Sequence, residues 1–462
     1  MAGDISSNDG RVPLSTVLIY GPPLFALAGA AQFVQFFFLK FAADVLLIAP
    51  FVAGLIYMLC RLWDAVADPI IGFWSDRTKS RLGRRRPWML GAIPILALTF
   101  IMVWLTPLEL DETLRIAWVC VALFAFYSAH TAYMVPYQAL GAELTRNHHD
   151  RSRIFGAWYA AFTAGTLVAF GGMQYVMTAE DSYAATGTLA IGLAVLLAGV
   201  MLVPPIGLRE PAAHQGRGAS SLLPALRDVL KNPHAGRLLA VGFIQNIPLG
   251  VLGTIMPFYM AYVIRRPDMI GTVPAVFVIV NVLSVPLWVR LSRTWGKRTT
   301  WIVGMVLCAL GFGSGSLVAT GAALPLAVVL AFAGAGMGCG GTMSHSMLAD
   351  VIDSDEHATG ERKEGAYSAV WGFVGKCSVA LVAFPTGLAL QLAGFVPNVE
   401  QPPEVELVLR LLFGGLPLLG FLAGALILRK FRLNEREHAR IVEDLAARRS
   451  LAGGAAGIKE GG

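Results

Sequence analysis

The stretch Arg61-Leu-Trp-Asp64-Ala-Val-Ala-Asp68-Pro-Ile-Ile-Gly72-Phe-Trp-Ser-Asp76-Arg77, closed by Gly83-Arg84-Arg85-Arg86, decides the class of this protein. It holds the end of one apolar run, 46–74, and the polar turn before the next, 87–106. Apolar, basic, then apolar again is the rhythm of a chain that crosses a bilayer and turns back. The composition agrees: 56% of residues are hydrophobic and only 14% charged, against about a quarter charged in soluble domains. Twelve spans of roughly 20–25 residues each would use most of the chain.

Working outward, apolar runs fall at 14–40, 46–74, 87–106, 114–141, 154–177, 185–208, 237–264, 269–291, 300–320, 323–349, 366–395 and 405–428. One set of loops is rich in Lys and Arg: Asp76 to Arg86, Arg146 to Arg153, Arg209 to Lys231, Arg293 to Arg298, and the tail from Arg429. The alternate set is mostly acidic, with Glu109, Asp111, Glu112, Glu180, Asp181, Glu400, Glu404 and Glu406; Arg265 and Arg266 are its exception. The positive-inside rule makes the basic set cytoplasmic, so both termini face the cytoplasm and the span count is even. The expected setting is the inner (plasma) membrane, crossed many times. A net charge of +6 spread over short loops forms no continuous basic face, which argues against a nucleic-acid partner. The five cysteines lie in apolar runs without metal-ligand spacing and read as packing residues.

The longest internal polar stretch lies between the sixth and seventh runs. It divides the chain into 1–208, a linker at 209–234, a second half at 235–432 and a tail at 433–462. The basic turn after the second run is echoed after the eighth, in Leu291-Ser-Arg-Thr-Trp-Gly-Lys-Arg298. The expected architecture is therefore all-α, with twelve transmembrane helices in two six-helix bundles. Such a repeat is the pattern of a major-facilitator carrier, with its cavity between the halves.

Charges at membrane depth cost about 2.5–3.5 kcal/mol each on insertion scales, so they need a reason. Asp64 and Asp68 are four apart and project from one face of the second helix. Two such carboxylates disfavour double ionisation unless a cation lies between them. Lys376, deep in the eleventh run, is the candidate cation, and an incoming Na⁺ or H⁺ would replace it. A static salt bridge between the halves is the competing reading. Thr131, next to His130 in the fourth run, offers a hydroxyl, although such threonines more often bond their own backbone. Arg61, Gln138, Trp158, Asn246, Tyr367 and Trp371 are cavity candidates, with packing as the alternative for each aromatic. Asp76, Arg77, Arg84 and Arg85 form a charged turn expected to latch one conformation at the cytoplasmic face. Asp350, Asp353 and Arg362 are expected to do the same beneath the other half.

Four stretches extend the reading: Arg61 through Pro69; Ser75-Asp-Arg-Thr-Lys-Ser-Arg-Leu-Gly-Arg-Arg-Arg-Pro-Trp88; Pro136-Tyr-Gln-Ala-Leu-Gly-Ala-Glu-Leu-Thr145; and Asp350 through Lys376. In this order they resemble the glycoside–pentoside–hexuronide:cation symporter family, the melibiose-permease branch of the major facilitator superfamily. The resemblance implies a cation site at Asp64, Asp68 and Thr131 with Lys376 beside it, and a sugar or glycoside as the co-transported solute. Na⁺ at Asp64 and Asp68 is one possibility. Where that branch has an asparagine between its two aspartates this chain has Ala67, so H⁺ is at least as plausible. The positions that match the branch's sugar-binding aspartates are Ala28 and Met134, which cannot accept hydroxyl protons. Lysophospholipid carriers look similar in the same helices, and a cavity around Phe25, Ala28, Met134 and Phe373 would suit an amphipathic solute.

An intramembrane Mg²⁺-dependent transferase is the remote alternative, but it needs a second acidic cluster that does not follow. The expectation is thus a transporter and not an enzyme, acting as a monomer. It needs no cofactor beyond its coupling ion, and its partners are a small or amphipathic solute and the lipid bilayer.

Overall fold

The computed structural model describes residues 13–144, 148–208, 227, 229–361, 363–431, 433 and 437–447. Among these the regular elements are helices, with no strand. In chain order they are α1 (Leu14–Asp44, interrupted at Gly21), α2 (Pro50–Arg77), α3 (Arg86–Trp104), α4 (Glu112–Glu143), α5 (His148–Thr178) and α6 (Ser182–Met201). Then follow α7 (Pro233–Thr254), α8 (Thr272–Trp295), α9 (Lys297–Gly315), α10 (Ala323–Thr359), α11 (Glu364–Leu392) and α12 (Pro403–Arg429). Eleven of these are long and apolar enough to cross a membrane. The one outside that set is α9, whose first turn, Lys297-Arg-Thr-Thr300, is polar.

The helix starts follow local chemistry. Asp111 accepts a hydrogen bond from the backbone N–H of Leu114 at 2.9 Å, and Asp181 does the same for Ala184 at 2.9 Å. Each carboxylate satisfies an orphan donor of the first helical turn. Pro50, Pro233 and Pro403 occupy first-turn positions, where a missing N–H costs nothing. Three boundaries differ from the apolar runs. The second helix starts at Pro50, not 46, because Leu47 turns the chain at φ 53°. The seventh breaks after Thr254 and continues as short turns to Val263. The tenth runs on to Thr359, where Gly360 ends it at φ 73°; this amphipathic extension is too polar to register as a membrane run.

The helices pack in two sets. In the first, α1 lies on α5 and α6, α2 on α4, and α3 on α4 and α6. In the second, α10 lies on α8 and α9, and α7 and α9 on α12, with α11 against α7. The sets are joined by α2 with α11, one of the most extensively packed pairs of the described residues, by α1 with α7, and by α5 with α8. The end bearing the acidic loops, here the outer end, is tightly closed. A Cβ on Gly54 would lie 2.6 Å from the carbonyl oxygen of Ala383, and one on Gly387 would strike that of Pro50. Only glycine allows these backbones to approach so closely. Beside them the Phe51 and Phe384 rings are 5.4 Å apart. Across α5 and α8, the Gln174 side-chain oxygen accepts from the Thr272 backbone N–H at 3.1 Å.

Candidate coupling site between the helix sets

On α2, Asp64 and Asp68 stand one turn apart, and α4 and α11 bring the other groups to them. Asp64 is fully buried, at 0% exposure. Its Oδ1 accepts from the Thr131 hydroxyl at 2.6 Å. Its Oδ2 lies 3.0 Å from Lys376 Nζ and 3.5 Å from Arg61 Nη1. The same Lys376 Nζ reaches Asp68 Oδ2 at 2.6 Å. One ammonium from the second helix set thus bridges two carboxylates of the first.

The register of α2 on α4 is held by an indole: Trp63 Nε1 donates to Ser128 Oγ at 2.9 Å, while its ring stacks on Phe124 at 4.9 Å. Arg61 lies over the Tyr127 ring, 5.2 Å from the centroid. His130 Nδ1 is 3.8 Å from Asp64 Oδ1, too far for a hydrogen bond. Around the carboxylates the buried Tyr57 OH, Arg61 Nε, Tyr127 OH and His130 Nδ1 have no hydrogen-bond partner among the described residues. Buried polar groups are normally paired. Two carboxylates, the Arg61 and Lys376 cations and several unpaired polar atoms thus share one buried site.

The cavity candidates divide. Met134, Trp158 and Trp371 are half-buried, and Gln138 is exposed. Trp158 stacks on Phe162 at 6.1 Å, and its indole N–H is unpartnered. Asn246 donates to the Gly242 carbonyl at 2.8 Å and sits beside Gly375, next to Lys376. Two candidates do not reach a cavity. Ala28 is 3% exposed and packed against Gly165 of α5. Tyr367 is 1% exposed, and its hydroxyl accepts from Asn232 Nδ2 at 2.9 Å near the inner end of α7. Their apolar surroundings explain both: each fills a helix–helix contact.

The charged turns are assembled largely as ion clusters. Asp76 lies 3.8 Å from Arg84 and 3.4 Å from Arg85. Glu143, at the end of α4, takes both arginines at 2.6 and 2.8 Å. Arg77 is not part of this cluster; its guanidinium covers the Phe73 ring at 3.5 Å. In the other set Lys297 holds Asp350 at 2.7 Å, and His438 of the tail helix, 437–447, lies 3.1 Å from Asp353. Arg362 lies outside the described residues, as does most of the 209–234 stretch. Glu143 and Lys297 lie in stretches the sequence singled out and His438 does not, but the partners of all three are far away in the chain and meet them only in three dimensions.

A further cluster lies at the outer end. Lys40, buried in α1, pairs with Asp44 one turn on and lies 4.4 Å over the Tyr262 ring. The Tyr262 hydroxyl donates to Asp44 Oδ2 at 2.8 Å, and Asn398 Nδ2 donates to the Asp44 carbonyl at 2.8 Å. A lysine and aspartate at i, i+4 in an apolar helix were the available clue. Arg265, the basic exception among acidic loops, is neutralised there by Glu400 at 2.8 Å and Glu406 at 3.0 Å.

The family model for MFS/sugar transport protein matches residues 19–435. The chain belongs to that family. An uncharacterised symporter from Synechocystis is 25% identical over 95% of this chain and 97% of its own. A sphingosine-1-phosphate transporter from Xenopus tropicalis is 24% identical over 89% of this chain and 87% of its own. Among solved structures, a D323A mutant of the nucleoside transporter NupG superposes with a TM-score of 0.67 at 13% identity, over 89% of this chain and 99% of that one. The protein is thus an all-helical, multi-pass membrane protein of the plasma membrane, with the major facilitator fold and membership in a transport family, not an enzyme family. Among the described residues no three His, Cys, Asp or Glu side chains are grouped to hold a metal ion.

Proposed function

We propose that the protein is a cation-coupled symporter of a small organic solute, a sugar or glycoside by family resemblance, working by alternating access. The observation that carries this reading is the single Lys376 ammonium shared by Asp64 and Asp68 across the two helix sets. The pair binds one more positive charge only if the lysine moves away, so cation binding is tied to the contact between the sets. The coupling ion is H⁺ or Na⁺: the cluster offers four carboxylate oxygens and the Thr131 hydroxyl, while Ala67 adds no ligand. The working unit is the single chain, its halves 1–208 and 235–432 joined by the linker at 209–234. The ion clusters at Asp76, Arg84, Arg85 and Asp350 serve as inner-face latches.

The test is uphill uptake in proteoliposomes under an imposed Na⁺ or H⁺ gradient. Asp64→Asn is expected to abolish gradient-driven accumulation while solute exchange survives; undiminished accumulation by that variant overturns the coupling. A second reading, an amphipathic solute, is favoured by Ala28 and Met134, which supply no acceptor for a sugar hydroxyl, and by the likeness to a carrier of sphingosine-1-phosphate.

A further inference from the structure

Two amides at membrane depth are left unused by the coupling site. Gln32 and Gln35 lie three residues apart on one face of α1. Both are half-buried, and neither side chain hydrogen-bonds to another described residue. Their depth follows from their neighbours. The Tyr57 ring of α2 stacks on Phe38 of α1 at 6.0 Å. Asp64 lies two turns further along the antiparallel α2, which sets it level with Gln32.

The open strip of α1 faces the gap between the helix sets. Of the candidate spans α1 is the most deeply buried, and α2, α5, α6 and α7 enclose it. An amide turned to lipid instead would leave polar groups unsatisfied at a cost of several kcal/mol. Along the strip the character changes. Leu18, Phe25 and Gln32 follow at seven-residue steps, so they share one face; Leu18 is exposed and Phe25 half-buried. Above them the strip is sealed, because a Cβ on Gly253 of α7 would lie 3.1 Å from Gln35 Cγ. Amides therefore occupy the blind end, and apolar side chains line the way toward the inner end.

We infer that Gln32 and Gln35 are substrate-binding residues, which hydrogen-bond the polar head of an amphipathic solute whose apolar part lies along Phe25 and Leu18. The inference takes its setting from the symport reading and names the substrate class. Each amide brings two donors and one acceptor, which suits a hydroxyl-rich or a zwitterionic phosphate head. The shared chemistry is a hydrogen-bonding head on an apolar chain.

The experiment is equilibrium binding to the purified full-length protein in nanodiscs, with hexyl β-glucoside, methyl β-glucoside and lysophosphatidylcholine as probes. One of the two amphiphiles is expected to bind at least tenfold more tightly than methyl β-glucoside, and the arm that does so identifies the head. Gln32→Leu and Gln35→Leu should each weaken that binding about tenfold, and Gln32→Asn should recover most of the loss. Phe25→Ala should narrow the gap between hexyl and methyl glucoside. The Asn variant carries the test if a Leu variant does not fold. Unchanged affinity in the folded glutamine variants overturns the inference, as does wild-type protein that binds neither amphiphile. Glutamine-dependent binding with no gradient-driven uptake of the bound probe would instead sink the symport reading and leave this inference standing.

Discussion

Asp64 has no contact with solvent, and its two oxygens are committed to different helices. Thr131 is the neutral member of that set, so it isolates the hydrogen bond from the charge. Bonds to a charged group are worth about 1.5–3 kcal/mol. Thr131→Val is therefore expected to weaken apparent cation affinity tenfold or more in uptake assays, and Thr131→Ser by less than about threefold. Equal effects from both would deny the hydroxyl a role. At the inner face Glu143 joins Arg84 and Arg85 to α4. Glu143→Ala leaves two guanidiniums without it and should cost about 3 kcal/mol, read as a fall in melting temperature. Arg77→Ala removes only a contact over Phe73 and should cost about 1 kcal/mol or less. The Asp-Arg pair in sequence suggested that both side chains would act together; helix geometry points them apart.

At the scale of elements, Asp44 at the outer end of α1 is tied to Tyr262, in the turns that continue α7, and to Asn398 of the α11–α12 loop, while α2 and α11 meet through Gly54 and Gly387. These contacts hold the outer side shut. Tyr262→Phe keeps the ring over Lys40 but removes the hydrogen bond to Asp44. It is expected to lengthen the mean distance between spin labels placed at the exposed Leu47 and Val399. Gly387→Val should act more strongly, because its side chain cannot fit against the Pro50 carbonyl: a folded protein held open outside, with solute uptake lost. Label distances identical to those of the unsubstituted protein would show that these contacts do not govern closure. None of this could be read from apolar runs, which locate glycines but not what packs against them.

For the whole molecule, the close contacts between the helix sets described above lie at the outer end and at the charge cluster, while at the inner end Glu143 and Lys297 each pair within their own set. The molecule is closed at the end bearing the acidic loops, and the proposed alternating access requires that end to part. A disulfide there should arrest it. Phe51→Cys with Phe384→Cys, at positions whose rings now lie 5.4 Å apart, is expected to lose uptake on oxidation and regain it with reductant. Full uptake by the oxidised, cross-linked protein would rule out opening at this end as a step of the cycle.

Hydropathy and charge bias are properties of composition along the chain, and from them alone followed the membrane class, the positions of nearly all spans, and the aspartate pair on one face of α2. Local spacing suffices for these, because a helix must bury apolar length and satisfy its own backbone in lipid. Which groups meet across the bundle was another matter. The sequence named Lys376 as the cation for the two aspartates, but the contacts that bring its Nζ to both, the helix contacts that Ala28 and Tyr367 fill, and the place of Glu143 in the inner cluster depend on how helices far apart in sequence pack. Only the tertiary structure decides this, since distance in space between residues on different helices is set by packing and not by their spacing in the chain.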